Sequence, residues 1–159
     1  MEQQHVSVEY QTQLAGRGAR LVASLIDSLI LAIFILPLMY FTGGFSGLMQ
    51  SPPVEPSLGY LLVIGFVNFV LFGAINRTLL RDKGQTIGKK VMKIRIQGLD
   101  GKTPRLTELL FKRYAYYFLI GYVPVVGGFI SILGVLFIFG KSRRCVHDFI
   151  ASTQVVRAT

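Results

Sequence analysis

RLVASLIDSLILAIFILPLMY, residues 20–40, has the length and apolar character of a membrane-spanning helix, yet it opens on Arg20 and carries Asp27 inside. About twenty apolar residues, rising 1.5 Å each, cross a ~30 Å hydrocarbon core. An ionised carboxylate within such a stretch costs about 2.5 to 3.5 kcal/mol on insertion scales, so it needs a partner, a water-filled cavity or a proton. Which of these Asp27 finds bears on both fold and function.

The rest of the chain is written in the same key. With 52% hydrophobic residues, 16% charged residues and a mean hydropathy of +0.53, it is too apolar for an ordinary soluble domain and reads as an integral membrane protein. The first twenty residues hold no apolar core, and the run at 21–41 is as long as a span, so it reads as a retained helix and not a signal peptide. A second run covers 58–76. Between them, 42–57 is rich in Gly, Ser and Pro, has no Lys or Arg, and should face outside. By contrast, residues 77–113 hold eleven Lys/Arg against Asp82, Asp100 and Glu108, a net +8 that marks the cytoplasmic side. Arg17 and Arg20 place the N-terminus there too.

The apolar region 114–140 is flanked by Lys112 and Arg113 before it and by Lys141, Arg143 and Arg144 after it. A single pass would export one cluster; a hairpin turning at VPVVGG, 123–128, keeps both inside. The segments 106–122 and 126–140 then form that hairpin, the second being short enough to be tilted or re-entrant. The expected fold is an all-α membrane protein of about four transmembrane or re-entrant helices, one domain over 1–159. Both termini would be cytoplasmic, and the location the plasma (bacterial inner) membrane.

The basic cytosolic loop at 77–105 is not featureless. VMKIRIQ, 91–97, alternates apolar and polar residues and runs into the turn signal Asp100-Gly101, while STQVVR, 152–157, is also β-prone; the two should pair as a small cytosolic β element. GQTIGKK, 84–90, has three residues between its glycines and Lys90 after Lys89, which does not fit a phosphate loop. An amphipathic surface helix fits better, with Ile87 and Val91 toward the acyl boundary and Lys89, Lys90 and Lys93 as a lipid-facing basic surface for anionic head groups. Nucleic acid binding is disfavoured because the charges lie between spans. Tyr114, Tyr116, Tyr117 and Phe118, beside Lys112 and Arg113, suit an interfacial belt. Cys145 is the sole cysteine, so no intramolecular disulfide forms; Arg143, Arg144 and His147 are neighbours that could activate its thiol. No HExxH, CxxC or Ser/His/Asp order appears, and His5 and His147 are the only histidines, so neither an enzyme, a metal site nor a cofactor is expected.

RLVASLID at 20–27, GQTIGKKVMKIRI at 84–96 and RRCVHDFIASTQVV at 143–156, in that order, resemble the RDD family of small membrane proteins over roughly 16–157. The family takes its name from one arginine and two aspartates. The resemblance implies that these are Arg20, Asp27 and Asp148, in a shared polar site, and that cation/proton exchange, proposed for some members, is one activity to weigh.

Arg20 and Asp27 are seven residues apart, a turn of about 700°, and so share a helix face to within roughly 20°. Ala19, Ala23 and Ser24 keep that face small enough for another helix to approach. Asp27 lies about 10 Å deeper than Arg20, and Asn68 about 12 Å deeper than Asn76 on the antiparallel second helix, which with Ser131 outlines a polar layer. Three readings follow for Asp27, one of them a binding site for a lipid or another protein. Paired with Arg20 or another base, it is structural; in a wet cavity, it binds a proton or a monovalent cation, with Arg20 as competitor and Asn68 as neutral ligand. Asp148 either pairs with Arg143 or Arg144 at the interface or folds back to meet Arg20. The chain is accordingly expected to be a small proton/monovalent-cation exchanger, homo-oligomeric because four short helices enclose little. The alternative is a non-transporting accessory or scaffold protein whose basic face binds a partner or anionic lipid.

Overall fold

The computed structural model describes residues 13–115, 118 and 144–158. Two helices, α1 (Arg17–Phe41) and α2 (Leu58–Lys83), are long and apolar enough to cross a membrane. On α1 the buried positions Arg20, Ala23, Asp27, Leu31 and Ile35 recur every three or four residues, one stripe facing the rest of the chain. The other faces leave Leu21, Leu25, Leu29 and Ile33 more than half exposed, a surface suited to lipid and not to water.

The connection at 42–57 is fastened to both helices. Thr42 and Tyr60 share a hydroxyl–hydroxyl hydrogen bond of 2.7 Å, and the Ser57 side chain caps α2 by accepting from the Tyr60 amide. Helix α2 continues past residue 76, where the sequence reading stops it, because Leu80 prolongs the buried stripe of Phe72 and Asn76 while Arg81 and Lys83 favour the negative end of the helix dipole. It ends at Gly84, whose φ of 61° is left-handed and whose added Cβ would overlap the Ile96 carbonyl oxygen. The amides of Gly84 and Gln85 bond back to the carbonyls of Leu80 and Leu79, which closes the C-terminus of α2 around the left-handed glycine.

Beyond this turn come α3 (Ile87–Val91), β1 (Ile94–Gly98) and α4 (Leu106–Glu108), which widens into a π turn over Leu109–Tyr114. Among the described residues the chain then resumes with α5 (Val146–Ile150) and β2 (Thr153–Arg157). The strands pair antiparallel, Ile94 opposite Arg157 and Gly98 opposite Thr153, so the expected pairing of 91–97 with 152–157 forms with slightly shifted bounds. On the other edge of β2, the Ala15 amide donates to Val155 and the Arg157 amide to Gln13. One small sheet thus gathers the N-terminal segment, the basic loop and the C-terminal segment.

One face of the sheet, with Ile94, Ile96 and Val155, packs into the hydrophobic core with Leu80 and Leu109, all nearly or fully buried, while Val156 is buried on the opposite face. The hairpin segment 126–140, its turn at 123–128, Ser131, Tyr116, Tyr117, Arg143 and His5 lie outside the described residues.

Candidate functional site

Helix α3 is only five residues long, and its stability comes from what caps it. Each of its first three amides, which have no partner within the helix, finds a side chain. Ile87 N donates to Asn76 Oδ1 of α2 at 2.9 Å, Gly88 N to Asp27 Oδ1 of α1 at 2.8 Å, and Lys89 N to the N-cap hydroxyl of Thr86 at 3.3 Å. The Thr86 hydroxyl in turn donates to Asp27 Oδ2 at 2.5 Å, and Lys89 Nζ stands 4.0 Å from that oxygen. Asp27 therefore sits at the positive end of a short helix with a lysine beside it. Such an approach needs Gly88, because a Cβ there would overlap the Ala23 carbonyl oxygen.

Asp148 is the centre of a second cluster and is wholly buried. The Arg20 guanidinium contacts its Oδ2 and the Arg113 guanidinium its Oδ1; both arginine side chains are less than a tenth exposed. Oδ2 also accepts from the Cys145 amide at 3.0 Å, which caps α5. Arg113 Nη1 further donates to Thr153 Oγ1 at 2.6 Å, and Arg144 donates to the carbonyls of Thr153 and Asp148. Burial disfavours the Asp148 charge, yet Arg113 and Arg20 beside it hold its carboxyl well below the usual carboxylate range. His147, with Nε2 3.8 Å from Asp148 Oδ1, is pushed down to about 3 by burial and by Arg113, so it is neutral at pH 7. Burial likewise pushes the Cys145 thiol up, the reverse of the activation that its basic neighbours suggest in the sequence.

The two clusters border one cavity of about 460 Å³, lined by Arg20, Asp27, Lys89, Arg113, Tyr114 and Phe118 among others. Of the positions expected from sequence, Arg20 and Asp148 are brought into contact, and Asp27 shares their cavity but pairs with α3. Asn68 does not join them: its amide oxygen is buried without a hydrogen-bond partner among the described residues, and Asn76, two turns along α2, instead caps α3. Lys89 corrects the expected lipid-facing surface. Asp27, Thr86 and the Tyr114 hydroxyl, 3.3 Å from Nζ, draw it inward, whereas Lys90 and Lys93 remain exposed. Arg144 touches the backbone of Asp148 and not its carboxylate.

Sequence reasoning missed Thr86, Asn76 and Arg113. Thr86 had a signal, as an N-cap type three residues before Lys89, and Asn76 as an amide at a helix end. Nothing local separates Arg113 from Lys112; the wide π turn, which puts Leu109, Arg113 and Tyr114 on the inward side, makes the choice. Cys145, His147 and Asp148 present ligand atoms within 4.8 Å of one another, but two guanidinium groups already hold the carboxylate, and they would repel a metal cation.

A family model described as the RDD family matches residues 14–152. No curated protein and no solved structure matches the chain.

Proposed function

This chain belongs to the RDD family, and we propose that it is a non-transporting membrane scaffold or accessory protein, whose buried charges fix a docking platform at the basic end of its spans. The observation that carries this reading is that both family carboxylates are already engaged. Asp27 caps α3 and Asp148 joins two buried arginines. An exchanger must free its carboxylate in every cycle, and freeing Asp27 would uncap α3. A cation would also approach Asp27 past Lys89, Arg20 and Arg113, which repel it.

In this reading the positive-inside count puts the platform in the cytoplasm of a bacterial inner membrane protein, with four transmembrane or re-entrant helices and both termini inside. Exposed Lys90 and Lys93, with Val91, Phe149 and Ile150 half-exposed or more, form the face offered to a partner protein or to anionic lipid. No chemical step is assigned. The homo-oligomer expected from the need to enclose an ion path loses that reason.

The test is pH-gradient dissipation by Na⁺, K⁺ or Li⁺ in proteoliposomes, run beside thermal melting of the parent and Asp27→Asn. We expect no cation-dependent proton movement from the parent, and a variant destabilised by about 1–3 kcal/mol, since the charge-assisted caps weaken and Lys89 loses its counter-charge. Proton movement that requires a cation and vanishes in a folded Asp27→Asn protein would establish exchange and overturn the scaffold reading.

A further inference from the structure

The charges bordering the cavity do not sum to zero. Among the described residues Arg17, Arg20, Lys89 and Arg113 bring four positive charges against two negative ones from Asp27 and Asp148, and all but the exposed Arg17 are less than a tenth exposed, so the buried groups alone carry a net +1. A net buried charge is unfavourable at low dielectric and favours a counter-ion. Residues 119–143, which follow Phe118 in the chain, contain no Asp or Glu and so bring no carboxylate of their own.

The walls also change character with depth. Those on α1 run from Arg17 to Leu31, roughly 21 Å along the axis. Arg20 and Ser24 belong to the basic end, whereas Leu31 and Phe72 lie further into the span, and Phe118 packs on Phe72 at 5.4 Å between ring centroids. A cavity that is cationic at the interface and apolar deeper in the membrane matches an amphiphile with a negative head.

We propose that this cavity binds one anionic phospholipid, its phosphate held by Arg20, Lys89 and Arg113 and its proximal acyl chain passing Leu31, Phe72 and Phe118. Arginine forks match phosphate oxygens in geometry as well as charge, and the Tyr114 hydroxyl, 3.3 Å from Lys89 Nζ, adds a hydrogen-bonding group beside them. A single phosphodiester charge balances the net +1 of the five buried groups. A zwitterionic lipid carries the same phosphate, but its cationic head would be pressed against the same three cations. A soluble phosphate would satisfy the charge and leave the apolar half unfilled. About 460 Å³ lies within the range of small-ligand sites and accommodates a head group with the start of a chain. The exposed Lys90 and Lys93 offer a weaker, salt-screened attraction and no enclosure.

This site deepens the scaffold reading, because a lipid so held would become part of the platform; the two fail separately, since ion flux would overturn the reading while lipid binding alone decides the cavity. The experiment measures binding of short-chain phosphatidylglycerol and phosphatidylcholine to the full chain in a neutral detergent, with glycerol phosphate as soluble competitor. Ser28→Phe fills the cavity from an exposed wall position without touching an ion pair, and Ser24→Leu does so from one turn away should the first variant melt early. A Lys90→Gln/Lys93→Gln double variant reports on the surface. Expected are binding of phosphatidylglycerol about tenfold or more tighter than phosphatidylcholine, a loss of about tenfold in the filled variant at unchanged melting temperature, and little change in the double variant. Equal affinity for both lipids, insensitivity to filling, a loss confined to the double variant, or full competition by glycerol phosphate would each overturn the proposal.

Discussion

Asp148 keeps a charge at zero exposure because two guanidinium groups, one backbone amide and the start of α5 all face it. Such a residue is more telling by its removal than by its presence. Replacing a buried ion pair wholesale by apolar groups is often tolerated, whereas removing one partner strands the others. Asp148→Asn leaves Arg20 and Arg113 buried without their shared counter-charge, so we expect a loss of about 3–5 kcal/mol, read as a lower melting temperature and faster maleimide labelling of the buried Cys145. Unchanged melting and labelling would show that the cluster is wetter than its burial implies. Lys89 teaches the same lesson from the other side: its sequence neighbours make it a head-group lysine, and its spatial neighbours make it part of the interior.

At the scale of elements, α3 is the piece that could not stand by itself. Five residues are too few for helix nucleation in water, and its amides are satisfied by α1, α2 and Thr86. Its fit against α1 turns on the absence of a side chain at Gly88. In Gly88→Ala the added methyl must push α3 off the Ala23 carbonyl, which lengthens the Gly88–Asp27 hydrogen bond. Hydrogen exchange at the amides of 87–89 should then rise about tenfold or more while the long helices α1 and α2 stay protected. If exchange there is unchanged, α3 is not held by this close approach. The π turn after α4 works in the same sense, since it selects Arg113 and Tyr114 as the inward residues.

For the molecule as a whole, the sheet and the two charge clusters tie the ends of the chain to the basic ends of the spans, so stability should follow the titration of the buried groups. His147 is neutral and largely but not fully buried, with a folded value of about 3 against an ordinary 6.5. Between those values the unfolded chain takes up a proton that the folded chain refuses, so this residue's contribution is present above about 6.5 and is lost as pH falls toward 3. Asp148, depressed in the folded state, keeps its contribution above the ordinary carboxylate value and loses it only at still lower pH. Melting of the parent should therefore fall more steeply than that of His147→Gln as pH drops from about 6.5, and the two curves should run parallel at higher pH. Parallel curves throughout would place His147 in water.

The sequence by itself determined the apolar runs, the basic end and a pairing of 91–97 with 152–157 that the structure narrows to 94–98 with 153–157, because periodicity, run length and charge asymmetry are local properties of a chain; Arg20 and Asp27 stood out as charges on one helix face, and Asp148 through the family resemblance. It also held open the contact between Arg20 and Asp148, 128 residues apart. Only the tertiary structure decided which partner each carboxylate takes. Asp27 lies on the same face as Arg20 yet bonds to α3, since a Gly-rich turn after α2 carries Thr86 and Gly88 back to it; Arg20 is left to Asp148, with Arg113 supplied by a π turn that no sequence spacing announces. Helical periodicity fixes which residues share a face, but the choice among equally charged partners is made by the path of the connecting chain.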